Sequence, residues 1–159
     1  MKPELQRYAD KHYNHRDIYF LGRGLDYAVA MEGSLKLKEI SYIHSEAYSA
    51  GELKHGPIAL IDKGTAVITL LTQEALLDKM VSNVREVSTR GGNIFAIANE
   101  GTEISKDVAE DVVYIPRTID LLTPMISVVP LQLISYYIAK QKGCDVDKPR
   151  NLAKSVTVE

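Results

Sequence analysis

A single cysteine, Cys144, is all the thiol chemistry that the 159 residues contain. No disulfide can form within the chain, and this usage fits a reducing, cytoplasmic setting. Cys144 follows Gly143 in an expected turn with no base near it, which makes it a poor nucleophile candidate. Charge of neither sign dominates. The net charge is −2, so there is no electrostatic basis for a nucleic-acid or anionic-membrane partner. No run approaches the ~18 apolar residues of a membrane span, and no membrane association is expected. The opening MKPELQRYADKHYNHRD is polar and mixed in charge and does not read as a secretion signal. No grouping of His, Cys, Asp and Glu has metal-ligand spacing, so no metal and no other cofactor is expected. Internal repeats and low-complexity linkers are absent as well.

What is present suits one soluble domain. The length allows a single core, and 45% hydrophobic with 25% charged residues is ordinary for a globular chain. Short β-rich runs alternate with helical stretches. Strands are expected at Asp17–Leu21, Thr65–Leu71, Asn93–Ala98 and Val112–Ile115, with a further short one at His44–Ala50. The nearly continuous apolar run Thr65–Leu71 predicts a strand buried on both faces. Helices are expected at Asp26–Ile43, with Asp26 as N-cap, at Gln73–Arg90, stopping at Gly91-Gly92, and at Leu121–Lys142, where Pro130 predicts a kink. This alternation predicts an α/β three-layer sandwich around a mostly parallel, flavodoxin-like sheet of about five strands. Ligands of such sheets sit beyond the carboxyl ends of the strands. Residues 145–159 show no period and read as a surface tail.

Three places carry candidate chemistry. Gly22-Arg23-Gly24 follows a strand and opens a helix, a context suited to anions. Ala28 breaks the dinucleotide pattern G-x-G-x-x-G, however, and Asp26 would repel a phosphate, which leaves a tight turn as the simpler reading. Glu32, Lys36 and Glu39 share one face of the second element. They read either as a surface charge pair worth about 0.2–0.5 kcal/mol or as an acid/base pair. In the second reading a carboxylate moves a proton between adjacent sugar carbons while an ammonium stabilises the developing enediolate. Gly51-Glu52-Leu53-Lys54-His55-Gly56-Pro57 sets polar side chains between chain breakers. There His55 is either a solvated turn residue or a proton-transfer group facing a cleft.

The strings KLKEISYIHSEAY, GELKHGP and KPRNLAKSVTVE, with the order of elements between them, resemble the end of the glutamine–fructose-6-phosphate aminotransferase (isomerising) family, also called glucosamine-6-phosphate synthase. The resemblance covers essentially the whole chain. It implies a single SIS (sugar isomerase) domain over residues 1–159, with 145–159 as an active-site tail and without the family's glutaminase and first SIS domains. The implied reaction converts fructose 6-phosphate and glutamine to glucosamine 6-phosphate and glutamate in amino-sugar synthesis. By the same resemblance, Glu39 is the base that shuttles a proton between C1 and C2, and Lys36 assists at the substrate hydroxyls. His55 promotes ring opening in the active site of the neighbouring subunit of a homodimer. Lys154 forms a Schiff base with the ketose carbonyl. Attack needs its amine neutral, which burial under another domain or subunit or a neighbouring cation favours, and Arg150 is a candidate for that neighbour. The nucleophilic N-terminal cysteine and the Ser/Thr-rich phosphate loop of the family are not in this chain. The fragment alone is therefore expected to bind fructose 6-phosphate weakly and to turn it over poorly. The alternatives are a non-catalytic phosphosugar-binding SIS module or a dimerisation domain.

Overall fold

The structure, a computed structural model, describes residues 1–152; Lys154, expected at the active site, lies outside the described residues. Five strands, β1 (Asp17–Gly22), β2 (His44–Ser49), β3 (Ala66–Leu71), β4 (Asn93–Asn99) and β5 (Asp111–Ile115), form one sheet in the order β2-β1-β3-β4-β5. Every pairing is parallel, which is the flavodoxin-like arrangement the alternation predicts. Four helices cover the sheet: α1 (Lys2–His12), α2 (Leu25–Ser41), α3 (Leu77–Ser88) and α4 (Thr123–Gln141).

The two faces of each strand sort into two cores, as a period of two requires. Ile18, Phe20, Ile68, Leu70 and Phe95 pack with Leu5, Val29, Leu37 and Leu131 on the side of α1, α2 and α4. Tyr19, Leu21, Val67, Leu71 and Ile94 pack with Leu53, Met80 and Val84 on the side of α3. All six residues of β3 are buried, as its apolar run predicts.

Several expectations need correction. The polar N-terminal segment contains a helix, α1, because Leu5, Tyr8, Ala9 and His12 fall at helical spacing and bury one face. Asp26 is not the N-cap of α2. Gly24, at φ 58°, takes that place, and the Asp26 carboxylate turns inward to accept hydrogen bonds from the Thr72 backbone N–H (2.9 Å) and the Thr72 hydroxyl. A Cβ at Gly22 would collide with the Asp26 carbonyl, so the glycine loop is a steric necessity of the turn. Gly33 lets α2 approach α4, since a Cβ there would lie 2.6 Å from Leu131 Cδ1. By length and composition, Asp120–Gln141 is apolar enough to cross a membrane, at a mean hydropathy of 1.5, although no such stretch was expected. Ser127, Pro130, Leu131, Ile134 and Ile138 form the helix face that packs into the core. α4 runs through Pro130 as one helix.

Candidate functional site

The second helix crosses back over the sheet, so its last turn lies beside the starts of β1 and β2 rather than at the carboxyl edge. Helical spacing puts Glu32, Lys36 and Glu39 on one face of that helix. Lys36 Nζ donates to Glu39 Oε2 at 2.7 Å and stands 3.6 Å from Glu32 Oε1. Both partners of the short contact are half-buried, with Lys36 at 33% and Glu39 at 26% side-chain exposure. The Glu39 hydrogen bond, more than any other influence, raises the Lys36 pKa above its ordinary value, so the ammonium stays charged. A carboxylate held against a fixed ammonium at the wall of a cleft can move a proton while the positive charge faces a developing oxyanion.

Immediately after this pair the helix ends at Tyr42, whose φ of 61° and ψ of 17° are left-handed. That conformation costs a non-glycine residue roughly 1–2 kcal/mol, and glycine is the usual occupant of such a cap. The tail meets the helix here. Asp145 Oδ1 accepts from the backbone N–H groups of Asp147 and Lys148, which folds the segment into a turn. The Arg150 backbone N–H then donates to Tyr42 Oη at 2.9 Å, and the Arg150 guanidinium lies 4.1 Å from the centre of the Tyr42 ring. Leu35, Glu39, Tyr42, Ile43, Arg150 and Leu152 line a common cleft, together with Lys38, His44 and Asn151.

His55 sits elsewhere. It closes the 3₁₀ turn Ala50–His55 that follows β2, where buried Ala50 and Leu53 fix the turn against the α3 layer. Its side chain is 75% exposed, and Nε2 is 3.8 Å from Glu52 Oε2. The six residues of β2, about 17 Å at ~3.3 Å per residue, separate that edge from the one where Glu39 lies. Within one chain the structure joins Glu39 to Lys36 but does not bring His55 to them. Among the described residues, no group of three or more His, Cys, Asp or Glu is placed to hold a metal.

Two features escaped the sequence reading. Tyr42 as an anchor for the tail left no local signal, since nothing nearby marks a tyrosine as a helix terminator. A polar network at the carboxyl edge links Asp26 to Thr72, whose carbonyl accepts from Asn99 Nδ2 at 2.8 Å. Burial, outweighing these hydrogen bonds, pushes the Asp26 pKa up.

Known proteins are similar to this chain in sequence and in fold. The glutamine–fructose-6-phosphate aminotransferase (isomerizing) of Caldanaerobacter subterraneus is 62% identical over 158 residues, which are 99% of this chain and 26% of that protein. The Clostridium tetani protein of the same name is 64% identical over 155 residues, 98% of this chain and again 26% of its own length. The chain thus spans about a quarter of the curated relatives it matches. Among solved structures, the C-terminal domain of glucosamine-fructose-6-phosphate aminotransferase from Francisella tularensis superposes with a TM-score of 0.88 at 42% identity, covering 92% of this chain and 42% of that one. Glucosamine-6-phosphate deaminase from Thermotoga maritima gives 0.76 at 28% identity, over 99% of this chain and 46% of that one. The SIS-domain family model matches residues 12–140, and with its parallel sheet and covering helices the chain belongs to the SIS domain family.

Proposed function

We propose that this chain is the C-terminal isomerase half of a glutamine–fructose-6-phosphate aminotransferase and contributes catalytic groups to the conversion of fructose 6-phosphate and glutamine to glucosamine 6-phosphate and glutamate. The observation that carries this reading is the Lys36–Glu39 pair, held at 2.7 Å, with Glu39 lining a cleft that the tail also lines. Glu39 takes the proton from one sugar carbon and returns it to its neighbour. Lys36 assists proton movement at the C1 hydroxyl of the enolamine that stands between the two transfers. Lys154, four residues beyond Arg150 and thus no more than about 14 Å along the chain, supplies the amine that condenses with the ketose carbonyl, losing water to form a Schiff base from which ammonia derived from glutamine displaces the lysine. His55 serves ring opening. Its position at the opposite sheet edge favours its acting at the site of a second subunit, in a homodimer. Exposed Leu121, Met125 and Val129 on and beside α4 offer apolar surface for such a contact. A phosphate-binding loop comes from a further SIS domain, and the lone thiol fits a cytoplasmic setting.

The test replaces Glu39 by Gln in the whole protein and follows exchange of the C1/C2 hydrogens with deuterated solvent. Exchange is expected to fall by a factor on the order of 10²–10⁴, the usual share of a general base. Exchange at the wild-type rate would refute the assignment.

A further inference from the structure

The left-handed Tyr42 is a strained residue at a position where glycine would rest without cost. Strain kept at one site points to a side chain with work to do, and Tyr42 has two contacts to the tail. Its hydroxyl accepts the Arg150 backbone N–H, and its ring lies under the Arg150 guanidinium. The next residue, Asn151, is also left-handed at φ 62°, so the chain turns directly after the contact. Leu152 then lines the cleft that Glu39 lines. The upstream turn at Asp145 feeds Arg150 to the same point. A backbone hydrogen bond and a cation–π contact on a single ring fix both the position and the direction of the strand that leaves it.

We infer that Tyr42 and Arg150 form a latch that pins the tail across the last turn of α2 and sets the position and direction of the chain at Asn151 and Leu152, beside Glu39. They are positioning residues. The consequence for catalysis rests on the function proposed above, whereas the latch itself does not. The contacts separate cleanly by substitution. Tyr42→Phe keeps the ring under the cation and loses the acceptor. Arg150→Ala keeps the backbone donor and loses the cation. Tyr42→Gly removes both contacts and at the same time relieves the backbone.

Amide hydrogen exchange at residue 150, measured by NMR in this chain, tests the latch. Tyr42→Gly is expected to speed exchange there about ten-fold. Tyr42→Phe and Arg150→Ala should give smaller increases, with the β3 amides unchanged in all three. An unchanged rate at residue 150 in Tyr42→Gly overturns the latch. In the whole protein, Tyr42→Gly and Arg150→Ala are expected to lower kcat for sugar isomerisation about ten-fold, with KM within about two-fold and partial recovery in Arg150→Lys. Wild-type kcat in both variants overturns the positioning role. If the exchange result holds while Glu39→Gln retains full activity, the fault lies with the proposed function and the latch stands.

Discussion

His12 shows how little a residue's sequence neighbours say about its surroundings. It stands among charged residues, yet it is 1% exposed. Its ring stacks on Tyr8 with centroids 4.3 Å apart and meets His15 through a nitrogen–nitrogen contact of 3.3 Å. Burial first, then the like charges of His15 and Lys11, drive its pKa down to about 3. The folded chain thus holds His12 neutral, while the unfolded chain takes up its proton near pH 6.5. The stability that depends on a neutral His12 is complete above pH 6.5 and declines as the pH falls towards 3, with a slope approaching 1.4 kcal/mol per pH unit. Urea unfolding between pH 7.5 and 4.5 should show this loss, and His12→Gln should flatten it. Lys36 belongs to the same scale. Lys36→Met removes the cation beside Glu39, and the reaction proposed here predicts a fall in kcat of about 10²-fold or more for the whole protein with its fold intact by circular dichroism.

At the scale of elements, α2 carries both the close contact at Gly33 and the Lys36–Glu39 pair proposed to act on the sugar. Its contact with α4 depends on Gly33, because a Cβ there would press on Leu131 Cδ1 at 2.6 Å and on Phe20 Cε1 at 3.1 Å. Alanine at 33 gains helix propensity of about 0.8–1 kcal/mol but overpacks the interface by about 1–3 kcal/mol. Valine adds two more methyl groups and loses the propensity gain. Gly33→Val is therefore expected to lower stability by at least about 2 kcal/mol, read as a reduced midpoint in urea at unchanged slope. The same helix ends beside the starts of β1 and β2, which takes Glu39 away from the carboxyl edge that doubly wound sheets commonly use. That edge is instead occupied by the Asp26–Thr72–Asn99 network. Helix α1 is a lesson in patterning. Four buried positions on an otherwise charged segment make a weak signal in composition, and only the packing of α1 against α4 and Phe95 reveals it.

At the scale of the molecule, the placement of Glu39 and His55 at opposite ends of β2 is what the proposed sharing of one site between two subunits rests on. If His55 acts across a dimer, a whole protein carrying Glu39→Gln and another carrying His55→Ala should complement each other. Random pairing gives half mixed dimers with one intact site each, so about a quarter of wild-type activity should return after subunit exchange. No recovery, with mixed dimers shown to form, would place His55 with Glu39 of its own subunit or outside the reaction.

From β1 onward the order of strands and helices was legible from the sequence because apolar period and β-branched runs act locally: the fully buried β3 and the α/β alternation needed no knowledge of contacts. The Lys36–Glu39 pair was legible for the same reason, as helical spacing alone puts the two on one face. Tertiary structure decided the rest. Whether Asp26 capped its helix or reached Thr72, whether Tyr8 met solvent or Phe95, and whether Tyr42 received Arg150 from 108 residues away all depend on segments far apart in the chain. Such contacts exist only once the sheet has brought them together, and no local pattern encodes them.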